Sequence, residues 1–500
     1  MRSLFSLYSW RFPVALVYML QSVEYRAWPY LKWFWRVVDF NTVMHRRSLV
    51  RTKAAKALLL AVIIGMTLQV ATGIVLLAGW YQFDRIDWRI PLALIVSYPV
   101  VWAHAVVIPL IAGNLLIIKP SQHRAINRSR QIFAAHPGVK LAVVGSYGKT
   151  SMKEILVTVL KQGRKVAATP ANKNVLASHA KFAARLAGDE DVLVIEYGEG
   201  QPGDVARLAQ QTQPTDAVIT GVAPAHLDRY KTLARAAEDI FSITDFVAAE
   251  QIYVNTESPD AKPYTSKAMN SYSSDGALGW KVSGVKVGLE GTSFTLSKKL
   301  SKKQQVEMTV GRRGRKPAKP IVTRKVNLTS GLLGRHQVGP LAFAAAFALE
   351  QGMAEAQVKK GIAATAAFEH RMQPYRLNGA WVIDDTYNGN LEGIRAGLVL
   401  LSELPARRKW YVTPGLVDQG RETARVHRQI GELIAGAKPA NVVLIANSVT
   451  RHIEAGLRSG GFEGNLHIEH DPLYFYTNLQ HFVAAGDLIM MQNDWTDNYA

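Results

Sequence analysis

No cysteine occurs among the 500 residues. This excludes a disulfide framework, a thiolate zinc site and a cysteine nucleophile. Acidic residues are few beside basic ones: 39 Asp and Glu against 59 Lys and Arg, a formal charge of +20. An anionic partner is implied, whether nucleic acid, an anionic membrane face or a phosphorylated substrate. Charge is missing altogether from two long runs near the N-terminus. Hydrophobic residues still make up 48% of the chain, so wholesale disorder is excluded. The length predicts about three domains of roughly 150 residues each.

The first uncharged run, residues 57–80, reads ALLLAVIIGMTLQVATGIVLLAGW. A membrane helix needs about 20 apolar residues. The second run, 90–118, holds Pro91, Pro99, His104 and Pro109, and proline is tolerated inside membrane helices. Only a short segment joins them, so a transmembrane helical hairpin is predicted over 57–118. Arg46, Arg47, Arg51, Lys53 and Lys56 precede it, and Lys119, Arg124, Arg128 and Arg130 follow it. The positive-inside rule then puts both termini in the cytoplasm. In residues 1–56, Trp28, Tyr30, Trp33, Phe34 and Trp35 mix with Arg26, Lys32 and Arg36. That mixture suits a membrane interface. The apolar stretch Phe12 to Leu20 has no small-residue cleavage site after it, so a secretory signal is not expected.

Beyond about residue 135, short apolar runs alternate with helical periodicity. Strands are predicted at Val139–Val144, Val192–Ile195, Val218–Thr220, Gln251–Val254, Trp381–Ile383, Trp410–Thr413, Val442–Ile445 and Asp487–Met491. Helices between most of them predict an α/β fold with a parallel sheet. The expected division is a central domain over 135–368 and a C-terminal domain over 369–500. About 271–328 is β-rich and basic, with Lys298, Lys299, Lys302, Lys303, Arg312, Arg313, Arg315, Lys316 and Lys319. It reads as a hairpin-containing elaboration with a basic loop, solvated or facing anionic lipid. No recognition motif accompanies these charges, so no nucleic-acid partner is expected.

The sharpest local signal is KLAVVGSYGKTSMKEIL at 140–156. A strand leads into Gly145, Ser146, Tyr147 and Gly148, and Lys149, Thr150 and Ser151 open a helix. Glycines let backbone N–H groups turn around a phosphate, and the helix N-terminus adds its dipole. Lys149 supplies a point charge to the β- and γ-phosphates, and the Thr150 hydroxyl can hold Mg²⁺. Val143 stands where the longer phosphate loop has its first glycine, so this is the shorter G-x-x-G-K-[ST] form.

That loop resembles the loop of the Mur ligases, the ATP-dependent amide-forming enzymes of peptidoglycan synthesis. Further segments resemble the family in order. They are Thr169 to Asn174 (T-x-x-N-x-N), the strand-borne Glu196, Ala225-His226-Leu227-Asp228 (A-H-L-[DE]), Gly334 to Gln337 (G-x-H-N), and His370-Arg371. Asp384 to Asn390 resembles the D-D-S-Y-N-A-N signature of the D-alanyl-D-alanine-adding branch. The resemblance implies a phosphate-loop central domain and a Rossmann-like C-terminal domain. It implies ATP and Mg²⁺, an acyl-phosphate intermediate, a muramoyl-peptide precursor linked to UDP or to lipid, and D-Ala-D-Ala or a similar amine. It places Lys149, Glu196, His226 and Arg371 in catalysis, and Thr150, Glu196 and His226 on metal. It gives Asn174, His336, Arg371, Asp385, Tyr387 and Asn388 to the nucleotide.

Three departures stand out. The lysine that the family carbamylates, some 15 residues after A-H-L-[DE], is missing; Ala237, Glu238, Asp239 or Ile240 falls there. Glu238 or Asp239 would then replace the carbamate as a metal ligand. Gln337 and Pro340 stand where asparagines are expected after His336. A membrane hairpin occupies the place of the family's UDP-sugar-binding domain. Ligation onto a different acidic or lipid-linked acceptor is the alternative enzyme, and a nucleotide-binding scaffold without catalysis is the alternative class.

Overall fold

The computed structural model describes residues 4–23, 25–41, 43, 49–83, 87–171, 173–224, 227–300, 323–387, 389–416 and 419–493. The expectations on Arg46, Arg47, Asn172, His226, Asn388 and the basic residues from Lys302 to Lys319 lie outside the described residues. The chain divides into two compact units, Met1–Arg124 and Ala125–Ala500.

In the N-terminal unit, Phe12–Ser22 and Ala27–Arg36 form short helices. The second buries Tyr30 and Phe34 and leaves Trp28 and Trp35 exposed. Lys53–Phe83 and Arg89–Ala105 are the hairpin helices, and Val107–Gly113 continues the second run. Trp102 packs flat on Gly65, where an added Cβ would stand 2.0 Å from the ring. Pro99 sits inside the second helix, where it has no N–H to donate. Side chains reach the carbonyls of that helix: Tyr8 Oη donates to Val96 O at 2.7 Å, Gln69 Nε2 to Leu94 O at 3.0 Å, and Tyr30 Oη to Ala103 O at 2.7 Å. His104 Nδ1 lies 2.8 Å from Val100 O, a bond within its own helix. Leu60, Ile63, Leu68, Val75, Ile108 and Leu116 point outward. By length and composition, two helices here are long and apolar enough to cross a membrane.

The second unit is built on two sheets. The larger contains β1 (Val139–Val144), β2 (Val166–Ala168), β3 (Val192–Glu196), β4 (Asp216–Ile219), β5 (Ile252–Asn255), β6 (Asn270–Ser273), β7 (Gly276–Ala277), β8 (Trp280–Gly288), β9 (Gly291–Lys299) and β10 (Thr323–Ser330). Its order is β10-β9-β8-β7-β6-β5-β4-β1-β3-β2. From β2 to β6 neighbours pair parallel, and from β6 to β10 antiparallel. The basic β-rich stretch therefore extends the central sheet. β1 and β3 are apolar on both faces because both are covered. Leu141 and Val143 face the Lys149–Leu160 and Val338–Glu350 helices, while Ala142 and Val144 face Val205, Leu208 and Ile240. The alanine-rich Val338–Glu350 helix buries most of its surface against the sheet.

The smaller sheet contains β11 (Gln373–Leu377), β12 (Ala380–Asp385), β13 (Lys409–Thr413), β14 (Asn441–Ile445), β15 (Asn465–Glu469) and β16 (Leu488–Gln492). Its order is β11-β12-β16-β13-β14-β15, parallel except for the β11 edge. Alternate residues feed two cores: Ile383, Tyr411 and Leu444 on one face, Val382, Val412 and Val443 on the other. β2 and β15 escape the periodicity reading. The first has three residues, and the second is an edge strand exposed over its first half.

Candidate active site

β1 runs into Gly145–Gly148, and the Lys149–Leu160 helix follows at once. Gly145 has φ +142° and Gly148 +71°, where a side chain would be strained. A Cβ on Gly145 would also meet Thr220 Oγ1 at 2.3 Å. Thr220 follows β4 and braces the loop: its hydroxyl reaches Val144 O at 3.1 Å and Tyr147 O. The Tyr147 ring closes over Gly221. The first helical turn has N–H groups without intrahelical partners. Ser146 Oγ is buried with no hydrogen-bond partner. Loop, helix end and orphaned hydroxyl together suit the oxygens of a phosphate.

Lys149 Nζ lies 2.6 Å from Gly145 O and 2.6 Å from Glu199 Oε2. Thr150 Oγ1 donates to Glu196 Oε1 at 3.0 Å, and Asn174 Nδ2 donates to the same oxygen at 3.3 Å. Glu196 ends β3 and is buried. Its backbone N–H donates to Thr169 Oγ1 at 3.0 Å. Glu196 Oε2 has no aligned hydrogen-bond donor, although Lys153 Nζ stands 3.3 Å away. A hydroxyl, a carboxylate and one spare carboxylate oxygen are hard donors of the kind Mg²⁺ takes. Thr150 and Glu196 therefore fit that ion. Among the described residues there is no cluster of three His, Asp or Glu side chains that could hold a metal.

Gly334, with φ +98°, turns the chain so that the His336 ring lies against it. Burial pushes the His336 imidazole down to about 4, so it is neutral at pH 7. Arg371 is flanked by His370 and Met372 at φ 60° and 47°. Its guanidinium stacks 4.7 Å from the centre of the Tyr387 ring. His370 Nδ1 is 2.7 Å from Asp384 Oδ2. Asp385 accepts from Met372 N at 3.1 Å and from Gln492 Nε2 at 2.8 Å. Burial pushes its carboxyl up to about 6, against the pull of these donors and of Arg371.

One cavity of about 420 Å³ joins these groups. Tyr147, Gly148 and Ser151 line it from the phosphate loop. His336, Gln337 and Pro340 form a wall. Arg371, Asp385 and Tyr387 enter from the smaller-sheet domain. The two departures Gln337 and Pro340 thus sit in the cavity wall.

Glu238, expected as a metal ligand, does not face the fold's interior. On the Leu233–Phe241 helix it is exposed, while Ala237 and Asp239 turn inward. Asp239 is already engaged, accepting from Tyr230 Oη at 2.7 Å and from Gly203 N at 2.7 Å. Helical spacing allows only one of the two carboxylates to face in, and that one braces the turn before the Asp204–Thr212 helix. Three residues escaped the sequence reading. Lys153 is a cation on the apolar face of a helix, between Met152 and Ile155, and that placement was its signal. Glu199 lies only three residues past Glu196. Gln492 had no local signal, since β16 is adjacent to β12 in space alone.

Residues 143–348 match the model of the Mur ligase middle domain. The chain is 26% identical over 384 residues to the UDP-N-acetylmuramoyl-tripeptide–D-alanyl-D-alanine ligase of Mycobacterium leprae, covering 70% of each. It is 26% identical over 336 residues to the ligase of the same name from Escherichia coli, covering 63% of this chain and 68% of that one. In fold it is similar to MurF from Acinetobacter baumannii (TM-score 0.60, 17% identity, 74% of this chain and 77% of that one). It is likewise similar to MurF ligase from Thermotoga maritima in complex with ADP (TM-score 0.60, 20% identity, 75% and 80%).

Proposed function

We propose that the chain, whose residues 143–348 match the Mur ligase middle domain, is an ATP-dependent ligase of that family that adds D-alanyl-D-alanine to a peptidoglycan precursor. One observation carries the reading. The phosphate loop, His336 and the Arg371, Asp385 and Tyr387 group line a single cavity, with the Thr150–Glu196 pair beside the loop.

A carboxylate oxygen of the precursor attacks the γ-phosphorus of ATP. The bond to ADP breaks, and an acyl phosphate forms. The amine nitrogen attacks the acyl carbon and gives up a proton, and the tetrahedral intermediate expels phosphate. Charge gathers on phosphate oxygens throughout, so catalysis is chiefly positioning and cations. The loop N–H groups hold the phosphates, and Lys149 passes from Glu199 to the transferring phosphoryl oxygens. Arg371 meets the phosphates from the opposite domain, and Asp385 accepts from the ribose hydroxyls. Tyr387 supports Arg371, and His336 with Gln337 borders the nucleotide. Thr150 and Glu196 would hold Mg²⁺, which supplies neutralisation of phosphate charge. His226 completes the expected set but lies outside the described residues. Because the groups come from two sheets, domain closure completes the site.

We place the ligase at the cytoplasmic face of a bacterial membrane. The two apolar helices and the cations flanking them support this. The acceptor is then a muramoyl peptide, linked to UDP or to lipid. A second reading, a nucleotide-binding scaffold, draws on one observation: no lysine stands in the 237–240 stretch, and Ala237 and Asp239 are its inward residues.

Turnover separates these readings. The detergent-purified chain is given Mg-ATP, D-Ala-D-Ala and UDP-muramoyl-tripeptide or its lipid-linked form. Phosphate release and product mass are measured, with Lys149→Ala as control. Condensed product from wild type alone is expected. ATP binding without product from either acceptor would overturn this reading in favour of ligation onto another acidic acceptor or of the scaffold.

A further inference from the structure

We propose that Lys153 is a positioning residue for this site, its buried ammonium clamping Glu196 to the phosphate-loop helix. Lys153 is fully buried among apolar neighbours. A buried cation is heavily penalised unless paired and hydrogen-bonded. Here it donates to Thr169 O at 3.1 Å and to Ala171 O. It also stands 3.3 Å from Glu196 Oε2 and 3.2 Å from Glu154 Oε1. One ammonium thus ties three pieces together: its own helix, the end of β3 and the segment after β2. That segment frames Glu196 at both ends, through Thr169 Oγ1 on its N–H and Asn174 Nδ2 on Oε1. Lys153 does not line the cavity, so it acts through Glu196 and touches no reactant.

The proposal rests on the ligase reading, and its signature is a pair of opposite effects. The ammonium fixes Glu196 where Thr150 meets it, which serves turnover. It also competes with a divalent cation for Oε2. Removing it should therefore slow turnover and tighten cation binding. A merely structural lesion weakens both.

The test uses the full chain in detergent. Wild type, Lys153→Met and Glu154→Gln are compared in melting temperature, ATP-dependent turnover, and Mn²⁺ binding by electron paramagnetic resonance with a non-hydrolysable ATP analogue. For Lys153→Met, kcat should fall at least tenfold with KM for ATP within threefold, while Mn²⁺ binds several-fold more tightly. Glu154→Gln leaves Glu196 as the one carboxylate beside Lys153, so Mn²⁺ should bind several-fold more weakly; this arm also serves if Lys153→Met does not fold. A folded Lys153→Met with kcat within twofold of wild type overturns the proposal. So does Mn²⁺ affinity that falls along with kcat, or that is unchanged in Glu154→Gln. Inactive wild type would sink the ligase reading instead, leaving the Mn²⁺ comparison to judge Lys153.

Discussion

Lys149 Nζ stands 2.6 Å from Glu199 Oε2, and both side chains are largely buried. The cation of the phosphate loop is thus held by a carboxylate on the neighbouring loop. Bound nucleotide must take Lys149 from that partner. Lys149→Ala is expected to reduce kcat by roughly 10²–10³-fold, the loss typical of one preorganised charge. Glu199→Gln removes the competing charge from Lys149. Its dissociation constant for ATP should drop about fivefold, equivalent to about 1 kcal/mol. Calorimetric titration with a non-hydrolysable analogue checks this; an unchanged or weaker affinity would show that Glu199 does not compete.

Asp385 gives the site a pH signature. Burial raises its carboxyl from the ordinary 3.8 to about 6. A raised carboxyl pKa means the fold disfavours the charged form, so this stability is full below about 4 and lost as pH rises through 6. Nucleotide recognition runs the other way, because only the carboxylate accepts from two ribose hydroxyls. The kcat/KM for ATP should fall below pH 6. Asp385→Asn should lower kcat/KM about tenfold at pH 8 and flatten that acid limb. Relative to wild type it should gain melting temperature from pH 4 to pH 8. Paired pH profiles of rate and melting are the measurement, and a persistent limb near 6 in Asp385→Asn would assign it elsewhere.

Gly389 and Asn493 share one volume. A Cβ on Gly389 would stand 1.3 Å from Asn493 Oδ1, although the resembled signature carries alanine at this place. Gly389→Ala should therefore destabilise by about 1–3 kcal/mol, the usual cost of overpacking. It should also raise KM for ATP, since Gly389 lines the cavity. Asn493→Ala in the same chain should restore both. Chemical denaturation of Gly389→Ala, of Asn493→Ala and of the double variant decides, and additive losses would disprove the shared volume.

Within the hairpin, Gly65 meets the Trp102 ring at 2.0 Å from an added Cβ, whereas Gly79 meets nothing within 4 Å. Gly65→Leu should separate the helices, and Gly79→Leu should leave them paired. Small residues let membrane helices approach closely. Trp emission and limited proteolysis in detergent report the difference, and equal behaviour of the two variants would rule out the close contact.

Much of this protein was legible because its signals are local. Uncharged runs of helix-spanning length show as composition. The phosphate loop shows as strand, glycines and Lys-Thr within eleven residues, because neighbouring backbone groups do the binding. The Arg371 and Asp385 segments were legible only through resemblance, since their partners lie far off in the chain. Tertiary structure alone decided which side chains meet. It brought β16 beside β12, so that Gln492 donates to Asp385. It turned Asp239 inward and Glu238 to solvent, a choice fixed by helix rotation against the sheet. It placed Lys153 on Glu196 because the segment after β2 folds back over the phosphate-loop helix. Residue type and spacing state what chemistry a chain can do. Packing of elements distant in sequence decides which of those groups share one dry, low-dielectric place.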